Sequence, residues 1–165
     1  IFAARDRCDE TVEHLRCVRT DRFKYIRNYL PQRPHLQPCA YKDHKSILID
    51  LRRAFAAGEL NDIQKQLFAP TRPPEELYDL EKDPHEIHNL AGDAKYTAPL
   101  TDMRNRLDDW IVHTNDHGRN PESEAMYDSD MALYLDTRRR RGSIEDLQEL
   151  QDNIQQMKRW AAEGK

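Results

Sequence analysis

The chain has 165 residues, the size of one ordinary domain, but only 38% of it is hydrophobic and 34% is charged. With a mean hydropathy of −0.98, it has material for a modest core, and its amphipathic pieces are expected to finish their packing against something larger. A net charge of −4 and a pI near 6.0 argue against a global field that attracts nucleic acid. No apolar run approaches membrane-spanning length.

The opening IFAARDR does not read as a signal peptide, because its charge follows its apolar residues. It reads as the middle of an element. Residues 15–29, LRCVRTDRFKYIRNY, predict a β-hairpin with strand formers Val18, Phe23, Tyr25, Ile26 and Tyr29 and a turn at Thr20-Asp21-Arg22. The proline-rich residues 31–45 predict an extended loop. A helical insert over 46–68 follows. Its first helix is capped by Ser46, carries Ile47, Leu48, Leu51 and Phe55 on one side, and stops at Gly58; the second runs from Leu60 to Phe68.

After the breaker APTRPP, residues 76–80 predict a short strand. In PPEELYDLEKDPHEIHNLAGD, residues 73–93, Asp83, Pro84 and Glu86 occupy the N-cap, N1 and N3 places of a capping box, which predicts a short helical turn. The clearest helix is predicted over 99–114, where Leu100, Met103, Leu107, Trp110, Ile111 and Thr114 form an amphipathic stripe. Residues 121–165 are expected to be a polar linker and a C-terminal helix, capped by Ser143, with Ile144, Leu147, Ile154, Met157 and Ala161 along one face.

Few constellations promise chemistry. Cys8, Cys17 and Cys39 are odd in number and lack CxxC spacing, so they support neither a disulfide framework nor a zinc knuckle. His113 and His117 stand at i, i+4 without an obvious third ligand and read as exposed histidines at a helix end; His85 and His88 read similarly. Asp128-Ser129-Asp130 lacks the glycine and distal glutamate of a calcium loop and reads as a polar turn. No metal site is expected in this chain. Phosphate-binding glycine loops and a GxSxG elbow are also missing. Arg5-Asp6-Arg7-Cys8-Asp9-Glu10 is more suggestive: paired arginines grip sulfate or carboxylate and acids hold guanidinium groups or sugar hydroxyls, the alternative being a surface ion-pair cluster. The run Arg138–Arg141 reads as a solvated hinge or, alternatively, as a polyanion contact.

VRTDRFKYIRNYLP (18–31), PPEELYDLEKDPHEIHNLA (73–91) and LDDWIVHT (107–114) together resemble the C-terminal region of type I sulfatases, the formylglycine-dependent, alkaline-phosphatase-like enzymes. The segment between the first two is similar to the bacterial N-sulfoglucosamine sulfohydrolase branch. The resemblance covers residues 1 to about 120. It implies an α+β fold, a small antiparallel sheet covered by an amphipathic helix with additional helices, as the C-terminal subdomain of a larger α/β enzyme.

Calcium and the formylglycine, by the same resemblance, belong to an N-terminal catalytic domain, the expected partner of this chain. None of Cys8-Asp-Glu-Thr, Cys17-Val-Arg-Thr and Cys39-Ala-Tyr-Lys fits the family's Cys/Ser-x-Pro-x-Arg context, so the chain holds no catalytic residue and is expected to be inactive alone. Its expected role is one wall of a pocket for a sulfated carbohydrate, built from Arg5, Arg7, Asp9, Glu10, Arg33 and His35. A periplasmic or secreted location also follows from the resemblance. Two other readings compete: a non-catalytic polyanion- or glycan-binding module using Arg138–Arg141, and a hydrolase with His113 and His117 on a metal.

Overall fold

The computed structural model describes residues 1–141 and 144–165, with side chains described outside 141–146. It contains a four-stranded antiparallel sheet in the order β1-β2-β3-β4, formed by β1 (Phe2–Cys8), β2 (Thr11–Arg19), β3 (Phe23–Asn28) and β4 (Glu75–Asp79). Six α-helices accompany it among the described residues: α1 (Ala40–Asp43), α2 (Ser46–Ala56), α3 (Asp62–Lys65), α4 (Thr97–Thr114), α5 (Glu124–Arg141) and α6 (Ile144–Ala162). The chain divides into two compact units. One comprises residues 1–6, 13–31 and 71–120, the other 7–12, 32–70 and 121–165.

In the first unit the predicted hairpin forms in register, with Cys17 opposite Ile26 and Val18 opposite Tyr25. Thr20 closes its turn: the Thr20 hydroxyl accepts from the Phe23 N–H at 3.0 Å, and the Thr20 N–H donates to the Phe23 carbonyl at 2.9 Å. Tyr25 in turn sits opposite Leu77 of β4. Helix α4 lays Leu100, Met103 and Leu107 against Val18, Tyr25 and Leu77, and these six form the unit's buried core. Asn115, at φ 52° and ψ 43°, ends α4 in the left-handed conformation that asparagine tolerates.

β4 is an edge strand, and the following segment blunts it. The Leu90 N–H donates to the Leu77 carbonyl at 2.8 Å, while the Asn89 side chain accepts from the Leu77 N–H at 3.0 Å and donates to the Glu75 carbonyl at 2.9 Å. The capping box predicted at Asp83–Glu86 does not start a helix. Asp83 does accept from the Ile87 and His88 N–H groups, at 2.8 and 2.7 Å. Glu86, however, takes φ 56° and pairs with Lys24 at 2.6 Å, which removes it from the reciprocal bond a helix start needs.

The second unit is helical. Its core joins Tyr127 and Met131 of α5 to Leu150, Ile154 and Met157 of α6, with Val12, Ala40, Tyr134, Leu135 and Trp160 around them. Part of the polar linker expected after residue 121 is therefore an eighteen-residue helix. Tyr127, Met131, Tyr134 and Leu135 stand at i, i+4, i+7 and i+8, a stripe that the surrounding charge obscures. Asp128 and Asp130 lie inside α5, not in a polar turn, and Asp128 pairs with Lys158 of α6 at 3.0 Å. Residues 138–141 are its last turn, so the run expected to be a hinge is helical, and the positive side chains of Arg138, Arg139 and Arg140 suit the helix dipole there. The predicted Ser143 cap lies outside the described residues.

Two further expectations need adjusting. The proline-rich loop contains the one-turn helix α1, started where the Cys39 N–H donates to the Asp43 carboxylate at 2.8 Å. Ser46 is the first residue of α2 and not its cap; Lys45 holds the cap position without a side-chain bond. The apolar side of α2 is partly open: Ile47 is 66% exposed, whereas Leu48 and Leu51 are half-buried. Phe55 stacks on Phe68, ring centroids 4.4 Å apart.

Candidate functional site

The six side chains expected to line a pocket have different situations. Arg5, on β1 in the first unit, is half-buried and makes no hydrogen bond or ion pair among the described residues. The other five belong to the second unit. Arg7 is committed to acids: Nη1 lies 3.2 Å from Glu122, Nη2 pairs with Asp130, and the guanidinium sits 6.0 Å from the Tyr127 ring centroid. Glu10 is fully buried. Its Oε1 accepts from the Ala40 N–H at 2.6 Å and the Asn153 amide at 2.9 Å, and its carbonyl accepts from the Tyr127 hydroxyl at 2.7 Å. Arg33, 2% exposed, donates to the Val12 and Lys165 carbonyls at 3.0 and 2.8 Å and lies over Trp160. Asp9 is exposed at the β1–β2 turn with φ 51°, and His35 is half-buried in the proline-rich segment.

Glu10 and Arg33 thus hold the interior of their unit together, each satisfying main-chain groups that burial would otherwise leave unpaired. Arg7 is held by its acids. Arg5, Arg7, Asp9 and His35 all reach solvent, and of these Arg7 is already paired with Glu122 and Asp130.

An ion cluster that motif reading passed over centres on Arg16 in the first unit. Its side chain is fully buried yet makes four bonds to carboxylates: to Asp6 at 2.6 and 3.2 Å, and to Asp116 at 2.7 and 3.0 Å. Burial acts against the charge, but the bonds to Asp116 and Asp6 outweigh it and hold the Arg16 proton more tightly than usual. Reciprocally, Arg16 keeps the Asp116 carboxyl below the ordinary range. Gly118 is the contact that permits this: a Cβ there would lie 1.3 Å from Arg16 Nη2. Beside the cluster, an open cleft of about 490 Å³ is lined by Asp108, Ile111, Val112, Asp116, His117 and Arg119.

Acidic and arginine side chains also pair along the sheet. Glu75 accepts from Arg104 and from the Tyr25 hydroxyl, Arg27 reaches Asp108 at 2.5 Å, and the Asp79 carboxylate receives Arg22 at 2.9 Å. Burial and the bond to Glu75 push the Tyr25 hydroxyl up to about 12.

His113 lies near the end of α4, whereas His117 follows the left-handed Asn115, so the two do not share one helix face. Among the described residues, the one group with ligand atoms close enough for a metal is Cys8, Asp9 and Cys39. Two sulfurs and one carboxylate do not suit calcium, which takes six to eight oxygens. None of the three cysteines stands in a formylglycine context. These residues therefore fit neither group of the sulfatase reaction, and no catalytic step is assigned to them.

No protein-family model matches the chain. It is 41% identical over 126 residues to an ulvan-active sulfatase of Formosa agariphila, a match that covers 76% of this chain and 21% of that enzyme. It is 47% identical over 51 residues to a Δ4,5-hexuronate-2-O-sulfatase of Bacteroides thetaiotaomicron, covering 31% of this chain and 11% of that enzyme. The chain spans about a fifth of the length of the first of these relatives. Neither name is that of an N-sulfoglucosamine sulfohydrolase, the branch suggested by the segment before β4. By sequence, the chain is a relative of sulfatases.

Proposed function

We propose that this chain is the C-terminal subdomain of a sulfatase that hydrolyses sulfate esters or sulfamates on a carbohydrate. The observation that carries the reading is the 41% identity to a sulfatase over three quarters of the chain. The nucleophile and calcium belong, on this reading, to a catalytic domain elsewhere in the protein, and the chain alone releases no sulfate. Sulfated carbohydrate is the substrate class because one relative is named for ulvan and the other for a hexuronate.

Within that reading, Arg5 is the first candidate for the pocket wall, because it is half-buried and its guanidinium has no internal carboxylate to satisfy. Asp9 and His35 are the accessible candidates of the second unit. The test is Arg5→Ala in the full-length enzyme. Loss of one charge-assisted contact is expected to lower kcat/KM on a sulfated sugar roughly tenfold to a hundredfold. Unchanged kinetics dispose of the wall role for Arg5. Arg7→Ala is a poorer probe, since it also strips Glu122 and Asp130 of their partner.

The polyanion-binding alternative has less support. Arg138 donates to the Tyr134 hydroxyl at 2.9 Å and Arg140 pairs with Asp136 at 2.6 Å, so both are engaged within their own helix.

A further inference from the structure

We infer that Cys8, Asp9 and Cys39 form a binding site for a thiophilic divalent cation, zinc above all. The fold makes the site, since the two cysteines lie far apart in the sequence and meet only because the end of β1 comes up to the start of α1. One ligand atom from each residue lies within 4.8 Å of the other two. Tetrahedral zinc with Zn–S near 2.3 Å and Zn–O near 2.1 Å separates its ligand atoms by roughly 3.5–3.8 Å. Closing on a metal therefore asks for about 1 Å of side-chain adjustment, within reach of small rotations about χ1. Thiolate sulfur selects zinc over calcium or magnesium. Asp9 is exposed and Cys8 half-buried, which gives the ion a way in, while the buried Cys39 forms the floor.

Two observations beyond proximity support a built site. The segments carrying the ligands are fastened on both sides of Cys39: the Thr11 hydroxyl donates to the Pro38 carbonyl at 2.6 Å, and Glu10 Oε1 accepts from the Ala40 N–H at 2.6 Å. Such outer contacts fix ligand orientation before the metal arrives. In addition, Glu10 is fully buried, and its Oε2 has no hydrogen-bond partner among the described residues. A buried carboxylate oxygen without a donor carries a desolvation cost. Its other oxygen holds the N–H of Ala40, the residue after Cys39, so a cation held by Cys39 and Asp9 would offset the charge of that carboxylate. On binding, the two thiol protons pass to solvent as the sulfurs become ligands. The inference is independent of the sulfatase reading, because it concerns only this chain's own side chains.

The test titrates the reduced, chelator-treated protein with zinc and, as a spectroscopic probe, with cobalt(II). One equivalent of zinc is expected to bind, and cobalt is expected to give a thiolate-to-metal charge-transfer band. Cys8→Ser and Cys39→Ser should each abolish the band, Asp9→Asn should weaken zinc about tenfold or more, and Cys17→Ala should leave both unchanged. Because Cys39 is buried and its replacement can unfold the unit, Cys8→Ser, at a half-buried position, carries the decision, with circular dichroism confirming the fold. Zinc binding that survives Cys8→Ser overturns the inference, as does failure of the reduced protein to bind zinc. A Cys8–Cys39 disulfide, found by mass spectrometry in protein isolated without reductant, would equally assign the pair to a different role.

Discussion

Helices α4 and α2 carry similar apolar stripes, and the two units treat them oppositely. In the first unit, α4 buries Leu100, Met103 and Leu107 on the sheet, and the unit's fully buried Arg16 is enclosed between two carboxylates. In the second, α2 has no buried residue and leaves Ile47 and Ile49 more than half exposed, while the core is made by α5 and α6. An apolar period therefore reports that a helix will form. Whether its face is covered depends on what the rest of the fold brings to it.

The contrast breaks most visibly at Arg16. Arg16→Ala removes the guanidinium bonded to both Asp6 and Asp116, and it is expected to cost about 3 kcal/mol, the low end for breaking a buried pair. The low end applies because Asp6 is 55% exposed and can recover its water. The midpoint of urea unfolding measures it, and a loss below about 1 kcal/mol would mean that the cluster holds the first unit together far less than its burial suggests.

A smaller effect sharpens the same point through pH. Arg16 holds the Asp116 carboxyl below its ordinary value of 3.8, chiefly by hydrogen bonding, and Arg104 does the same for Glu75. As pH falls, the unfolded chain takes up protons on these groups before the folded one does. Their stabilisation is thus complete above about pH 5 and is lost as pH drops through the depressed folded values. Asp116→Asn keeps one acceptor for Arg16 and should cost about 1.5 kcal/mol at pH 7. It should also flatten the acid limb of a stability profile between pH 5 and 2. An acid limb as steep as that of the unaltered protein would remove Asp116 from the account.

These cases also show what could be read in advance. The hairpin, β4 and α4 were legible because their residues satisfy local rules and meet near neighbours: Val18, Tyr25 and Leu77 are adjacent across the sheet. Helix α5 was hidden because Tyr127, Met131, Tyr134 and Leu135 are interleaved with acids, and only α6 makes their stripe a core. Glu10 and Arg33 had the chemistry of contact residues, but their burial depends on Ala40, Asn153 and Lys165, all distant in sequence. Gly118 read as a helix-end signal and nothing more. Its requirement comes from Arg16, about a hundred residues earlier. The proximity of Cys8 to Cys39 is of the same kind, since no spacing rule spans that separation.

The smallest expected effect is the most direct probe of α2. Leu107 of α4, fully buried against the sheet, should cost about 2–5 kcal/mol on truncation to alanine, through lost transfer energy and the cavity left behind. Ile47 removes a side chain of similar size from a helix of similar character, but 66% of it already faces water. Little apolar surface is re-exposed, no cavity opens, and alanine has the higher helix propensity. Ile47→Ala is therefore expected to change stability by no more than about 0.5 kcal/mol in urea unfolding. A loss approaching that of Leu107→Ala would mean that the face of α2 is covered in the folded protein, and the opposition between the two helices would fail at its simplest point.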